Sequence, residues 1–173
     1  MLDFYMRLRP IDKNRYSKHY KMVFGAVVLA LIVISLSTSA LLIRFFSAPE
    51  VSHFVQNLAG VVVAALLVSY GVYRFRNHPF MDEVVYVWNL KQQLNRIYRK
   101  QRNIEPLIEQ NNIDAMVIMN YFYQGSKQLY ELDDNTITLD NLAIKFSHLN
   151  DRLEQAGFKL TTDEYDPGML DRF

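Results

Sequence analysis

The chain has 173 residues, and roughly fifty of them belong to two long apolar runs. About 100 residues follow the second run, which is enough for one small domain rather than two. Because cysteine is absent, disulfides, thiolate metal sites and cysteine nucleophiles are excluded. The net charge of +1 averages unlike parts: residues 1–21 hold six basic and two acidic residues, residues 74–105 hold seven and three, and residues 106–173 hold five and twelve.

The two apolar runs cover residues 22–43 and 54–73 and contain no Asp, Glu, Lys or Arg. Each has about the ~20 residues with which a helix crosses a hydrocarbon core. They predict a transmembrane hairpin over residues 22–73, joined by a short exterior loop in which Ser47 and Pro49 favour a turn. A secretory signal peptide is the alternative for the first run. That run is longer than a signal-peptide core and a second run follows directly, so an uncleaved anchor is favoured.

Lysine and arginine flank both ends of this hairpin, in the basic segment 1–21 and again after residue 73. Basic residues close to span ends favour the cytoplasmic side of a membrane. The pattern therefore predicts a multi-pass protein with both termini in the cytoplasm.

Small residues spaced by four occur in both runs. Such spacing lets membrane helices approach closely, either within the hairpin or in a homo-oligomer. The candidate helix-packing residues are Ala26, Ala30, Ser35, Ser39, Gly60 and Ala64. Since no charged residue lies at mid-depth, a transporter or channel acting alone is not indicated.

The first helix after the runs is predicted from Pro79 to about Asn103, with Asn77 or His78 as its cap. Its apolar stripe comprises Phe80, Val84, Val87, Leu94 and Tyr98, widened by Trp88 and Ile97.

Two further helices complete the predicted domain. One runs from Ile113 to Leu132 and is slightly weakened by Gly125. The other begins at Leu139 after a Thr138 cap, and its apolar positions continue to Ala156. Gly157 is placed to terminate this helix. Its apolar seam is formed by Leu139, Leu142, Phe146, Leu149, Leu153 and Ala156.

The predicted fold is therefore all-α: a two-helix transmembrane hairpin followed by a small cytoplasmic antiparallel three-helix bundle over residues 74–160. Residues 161–173 are acidic and contain Pro167 and Gly168. They predict a mostly extended tail with at most one helical turn.

Groups that could support catalysis are sparse. The four histidines fall on different segments without metal-ligand spacing, and Asp133, Asp134 and Asp140 lack the glycine and terminal glutamate of a calcium loop. No phosphate-binding loop, serine elbow or dinucleotide fingerprint is present. We therefore predict no catalytic residues, no cofactor and no metal.

Two remaining interpretations involve side chains with some chemical potential. An enzyme with an unrecognised site would need His78, Asp82, Glu83 and Tyr123 to converge in one cleft. The aromatic cluster of the second domain helix could stack on a flat ligand, although aromatics at helical spacing more often form core. That cluster comprises Tyr121, Phe122, Tyr123 and Tyr130.

A basic tract follows the hairpin and consists of Lys91, Arg96, Arg99, Lys100 and Arg102. It could be a solvated face that pairs with the acidic distal segment, or a contact with an anionic membrane surface or a protein partner. Nucleic-acid binding is disfavoured because no reading motif accompanies the charge.

Two long strings carry a resemblance to a known family. The segment His78–Lys100, HPFMDEVVYVWNLKQQLNRIYRK, and the segment Tyr121–Asp140, YFYQGSKQLYELDDNTITLD, together with the two-run layout, resemble a family of small bacterial inner-membrane proteins of unknown function. The resemblance implies a Gram-negative inner (cytoplasmic) membrane and carries over no activity or catalytic residue.

We therefore expect a non-enzymatic inner-membrane protein that presents a cytoplasmic helical interaction or scaffold module. The lipid bilayer and a protein partner or second copy are its expected partners. The alternative is an accessory or regulatory subunit of a larger membrane transporter or envelope enzyme complex.

Overall fold

A computed structural model describes residues 7–46, 52–135 and 138–173. Within these ranges the chain is helical and has no strand. The helices are α1 (Lys13–Phe46), α2 (Phe54–Phe75), α3 (Asp82–Ile104), α4 (Ile113–Leu132) and α5 (Leu139–Gln155), with 3₁₀ turns at Pro79–Met81, Glu105–Ile108 and Pro167–Arg172. The predicted all-α class is confirmed. Ser47 and Pro49, the predicted turn formers, lie outside the described residues.

The chain divides into two compact units. One comprises Ser17–Val84, and the other combines the residues up to Tyr16 with Val85–Phe173. This differs from the predicted division, which gave residues 1–21 and 161–173 segments of their own. Neither segment is separate, because both contribute side chains to the core of the second unit.

The first unit is dominated by α1 and α2, which are long and apolar enough to cross a membrane. At ~1.5 Å per residue, the 34 residues of α1 extend about 51 Å and the 22 residues of α2 about 33 Å. Large apolar side chains point outward along both helices, as Leu36 and Leu66 do, each 66% exposed. α1 begins nine residues before the predicted run, where the Asp12 side chain accepts a hydrogen bond from the Arg15 N–H at 2.9 Å and caps its first turn.

The second unit is built around α4, whose bounds are those predicted from periodicity. The Asn112 side chain accepts a hydrogen bond from the Ala115 N–H at 2.9 Å and so caps its first turn. Side chains around most of its circumference are buried, among them Met116, Ile118 and Met119. A helix that is apolar on all sides needs neighbours on all sides, and α4 therefore lies in the core.

Gly125 of α4 marks a close approach to α3. A Cβ at this position would lie 3.1 and 3.2 Å from the side chains of Leu94 and Leu90. This glycine, which the sequence indicates only as a weak point in the helix, is therefore explained by packing.

α3 follows a short 3₁₀ turn in which the predicted capping role of His78 is confirmed: its Nδ1 accepts a hydrogen bond from the Phe80 N–H at 3.1 Å. The predicted apolar stripe is partly wrong. Trp88 and Tyr98 are 63% and 65% exposed, whereas Leu90, which the prediction omitted, is 1% exposed. The buried face is rotated because the two aromatic side chains do not belong to it.

α5 shows the predicted seam, with Leu149 and Leu153 buried and Leu142 and Phe146 packed against the core. Gly157 adopts a φ of +73° just after the helix, the left-handed conformation typical of a C-terminal stop. The predicted Thr138 cap is wrong in detail, because the Thr138 side chain makes no capping hydrogen bond.

The C-terminal residues are not an extended tail. Residues Pro167–Arg172 form a 3₁₀ helix, and Tyr165 and Leu170 are buried in the core of this unit. The Lys100 Nζ donates a hydrogen bond to the Leu170 carbonyl at 2.6 Å. These contacts join positions about seventy residues apart in sequence, which local composition does not reveal.

The N-terminal arm is held in the same unit. Leu8 and Ile11 pack on the core, and Tyr16 is buried within it. The Gln128 Nε2 donates a hydrogen bond to the Arg9 carbonyl at 2.5 Å. The arm is therefore part of the helical domain rather than a free basic leader.

Candidate functional site

One face of α3 carries exposed aromatic and basic side chains. We define the outer face of α3 as Trp88, Arg96, Tyr98, Arg99 and Arg102. Helical spacing of three and four residues brings these positions to the side opposite the buried Leu90, Leu94 and Ile97. The face combines two exposed aromatic side chains with three exposed guanidinium groups, a composition typical of interaction surfaces.

The five basic residues of the predicted tract do not act as one group. Two of them have internal roles: the Lys91 Nζ lies 2.8 Å from Asp133 Oδ2, and Lys100 binds the Leu170 carbonyl. Arg96, Arg99 and Arg102 form no ion pair with any residue in the part of the chain that the structure describes. Only these three arginines of the tract remain available for an external partner.

The C-terminal residues support the flank of α3. The Tyr165 hydroxyl accepts a hydrogen bond from Gln93 Nε2, and the Tyr165 ring stacks on Tyr121 with centroids 4.2 Å apart. Burial raises the pKa of Tyr165 to about 12, although the Gln93 hydrogen bond and the charge of Arg96 act in the opposite direction. Tyr165 is thus a neutral anchor that holds the C-terminal residues against α3.

A cleft of about 480 Å³ lies beside the C-terminal end of α3, and Glu105 is one of the residues that line it. The Glu105 carboxylate accepts hydrogen bonds from the Tyr123 hydroxyl at 3.1 Å, from Gln101 Nε2 at 3.0 Å and from Lys145 Nζ at 2.6 Å. Burial raises the pKa of Glu105, but these donors outweigh burial and its pKa falls below the usual value.

The acidic groups of this cleft are paired with neighbouring side chains. On its other side, Glu109 lies 3.3 Å from His148 Nε2 and 3.8 Å from the Arg152 guanidinium. The arrangement joins α5 to the turn after α3. It serves structure more readily than acid–base chemistry, since an ionised, fully engaged carboxylate is a poor proton carrier at neutral pH.

The side chains that an unrecognised enzyme site would require have local partners. Tyr123 is buried against Glu105, and His78 caps the 3₁₀ turn. The Glu83 Oε2 lies 3.1 Å from His19 Nδ1, and the His19 ring packs on Phe80 at 4.1 Å. Asp82 lies in the first turn of α3.

Neither acidic nor histidine side chains gather into a candidate metal centre: residues 7–46, 52–135 and 138–173 contain no group of three or more that could hold an ion. Asp133 and Asp134, considered above as a calcium loop, form ion pairs with Lys91 and Lys13. Asp134 has a φ of +55°, as turn residues often do.

The aromatic cluster of α4 is largely core. Tyr121 and Tyr123 are 1% and 2% exposed, and Phe122 packs against the same cluster. Burial raises the pKa of both tyrosines above the ordinary value. Because both rings are enclosed by protein, they do not offer a stacking platform to a ligand.

The small residues of the two apolar helices divide into two groups. Gly60 faces Ser35 and Ser39: a Cβ at Gly60 would lie 2.8 Å from the Ser35 carbonyl oxygen and 3.0 Å from the Ser39 amide nitrogen. Ser39, Gly60 and Ala64 are buried, whereas Ala30 is half-buried and Ala26 is exposed. The structure thus places α1 and α2 in close contact at Gly60 and leaves Ala26 outside it.

Sequence reasoning missed the His19–Glu83 pair and the division within the basic tract. The two members of the pair are 64 residues apart, and no spacing rule connects them. The partners of Lys91 and Lys100 likewise lie far along the chain.

A family model described as "Protein of unknown function (DUF3087)" matches residues 6–170. Neither the curated proteins nor the solved structures include a match to this chain.

Proposed function

The chain belongs to the DUF3087 family of proteins of unknown function, and we propose that it is a non-enzymatic membrane protein whose helical domain presents an interaction surface. In this proposal α1 and α2 anchor the chain in a bacterial inner membrane. Both termini and the helical domain face the cytoplasm, as the basic flanks of the apolar helices favour.

One observation carries the proposal: the outer face of α3 presents exposed aromatic and basic side chains together on one side of the helix. Trp88 and Tyr98 leave more than 60% of their surface exposed, and the three arginines lack ion pairs among residues 7–46, 52–135 and 138–173. Large aromatic side chains and arginine dominate the energetics of protein interfaces.

Photo-crosslinking tests this proposal in the intact chain. A photoreactive phenylalanine analogue at Tyr98, in native membranes, should form crosslinks to a defined protein or to lipid. The same analogue at Tyr123, which is 2% exposed, is the matched control and should crosslink only within the chain. If position 98 gives no external crosslink beyond that control, the outer face of α3 is not an interaction surface.

A second candidate function is that of an accessory or regulatory subunit in a larger membrane transporter or envelope enzyme complex. It is favoured by Ala26, a small residue that stays exposed on α1 while Ser39, Gly60 and Ala64 are used within the helix pair. Ala26→Leu should therefore weaken association with the larger complex without disturbing the α1–α2 contact. Unchanged migration of the complex on native gels would reject this role. Gly60→Leu cannot serve here, because it would disrupt the helix pair itself.

A further inference from the structure

The outer face of α3 also indicates what it binds. We infer that this face docks on an anionic phospholipid surface, with Arg96, Arg99 and Arg102 at the headgroups and Trp88 in the interfacial layer. The inference rests on the proposed function and specifies the partner of the same surface.

The charge of the face matches such a partner. Three arginines lie within two turns of one helix and project to the same side, with no acidic side chain among the exposed positions from Trp88 to Asn103. Each basic residue close to an anionic leaflet contributes roughly 1 kcal/mol of attraction. A planar guanidinium group also binds phosphate oxygens through two hydrogen bonds at once.

The aromatic residues favour a lipid surface over a nucleic acid. Trp88 lies at the N-terminal end of the face and Tyr98 lies among the arginines, and both types of side chain are concentrated at membrane–water interfaces because they are amphipathic. A nucleic-acid surface would pair its basic residues with a reading motif, which the outer face of α3 does not contain.

The chain length between the apolar helices and this face agrees with docking on the same bilayer. Six residues, 76–81, connect α2 to α3. The connection is further shortened by a hydrogen bond from the His78 N–H to the Phe75 carbonyl at 2.9 Å and by the 3₁₀ turn that follows. Trp88 is only six residues into α3, or ~9 Å along the helix from Asp82.

Trp88 provides the assay, since it is the single tryptophan of the chain. The full chain is reconstituted in vesicles of phosphatidylcholine alone or of phosphatidylcholine mixed with phosphatidylglycerol. Brominated lipids quench Trp88 from within the bilayer, and acrylamide quenches it from water. We expect lipid quenching to rise and acrylamide quenching to fall when phosphatidylglycerol is present, and high salt to reverse both changes.

Two charge-matched variants test the role of the arginines. In the anionic vesicles, Arg99→Gln/Arg102→Gln should lower the ratio of molecules with a docked α3 face to molecules with an undocked one about 30-fold. Each charge contributes roughly a five-fold factor to this ratio. Lys127→Gln/Lys159→Gln removes the same charge from exposed positions off this face and should leave the ratio unchanged. Circular dichroism verifies folding, and if the double variant unfolds, the single variant Arg99→Gln with its five-fold effect replaces it.

Several outcomes overturn the inference. One is equal quenching of Trp88 in neutral and anionic vesicles. Another is the same quenching for Arg99→Gln/Arg102→Gln as for the unmodified chain. A third is protection of Trp88 by an added RNA oligonucleotide but not by phosphatidylglycerol. Alkaline carbonate extraction distinguishes a failure of lipid docking from a failure of membrane anchoring. If the chain stays in the membrane while Trp88 stays in water, lipid docking fails and membrane anchoring stands; if the chain is released, anchoring itself fails.

Discussion

Gly60→Ala should weaken the contact between α1 and α2. The added Cβ would lie 2.8 Å from the Ser35 carbonyl oxygen and 3.0 Å from the Ser39 amide nitrogen. Non-bonded heavy atoms are normally ~3.5–4.0 Å apart, so the helices would have to separate by roughly 0.5–1 Å. Overpacking of this kind costs about 1–3 kcal/mol.

Gly71→Ala is the matched control in the same helix, because a Cβ at Gly71 meets nothing within 4 Å. Both substitutions replace glycine with alanine, whose helix propensity is more favourable by ~1 kcal/mol in water, so this contribution is the same in the two variants. The difference between the two variants therefore isolates the steric cost at Gly60, for which we expect about 1–3 kcal/mol.

The chain has no cysteine, so dyes can be attached at two introduced sites without background labelling. Met22→Cys and Val72→Cys place them on exposed positions of α1 and α2. Energy transfer between the dyes during titration with sodium dodecyl sulfate reports separation of the helices. If Gly60→Ala and Gly71→Ala differ by less than about 0.5 kcal/mol, the close contact at Gly60 is refuted.

Three further predictions concern the helical domain. Ile97→Ala should lower the free energy of unfolding by about 2–5 kcal/mol in chemical denaturation, because Ile97 is fully buried. Tyr98→Ala, at the neighbouring exposed position, should change the free energy of unfolding by less than about 0.5 kcal/mol. Equal losses in the two variants would contradict the assigned register of α3. Tyr165→Phe should cost about 1–3 kcal/mol in the same assay, because the Gln93 amide loses its buried acceptor, and an unchanged midpoint would contradict this contact. The folded pKa of Glu105 is below its ordinary 4.5, so its stabilisation is full above pH 4.5 and is lost as pH falls through the folded pKa. Glu105→Gln should therefore flatten the acid side of a thermal stability profile, and identical profiles would refute this role.

Local signals predicted much of the fold. The bounds of α4 follow from helical periodicity, and the end of α5 follows from Gly157, which adopts a φ of +73°. The capping role of His78 was likewise visible beside Pro79. Each of these features depends on residues within a few positions of one another.

Features that depend on distant contacts were not predictable. The register of α3 was misjudged because Trp88 and Tyr98 count as apolar in a periodicity pattern although amphipathic side chains also suit a surface. The acidic C-terminal composition suggested an extended tail, but Tyr165 and Leu170 bury their side chains in a core formed by other segments. Local composition carries no information about such partners.

The candidate site was predicted only in part. The basic tract was identified from its charge, but the sequence could not separate the arginines that remain available from Lys91 and Lys100, whose partners are Asp133 and the Leu170 carbonyl. Likewise, the four-residue spacing identified both Gly60 and Ala26, and only the structure shows that Gly60 lies in the helix contact.

Cysteine accessibility in intact bacteria tests the proposed membrane topology. Ser52→Cys lies between α1 and α2, and Lys159→Cys lies in the helical domain, both at exposed positions of a chain without native cysteine. We predict that a membrane-impermeant maleimide labels Ser52→Cys in intact cells and reaches Lys159→Cys only after the inner membrane is permeabilised. Labelling of Lys159→Cys in intact cells, or protection of Ser52→Cys until permeabilisation, would contradict a hairpin anchored with both termini in the cytoplasm.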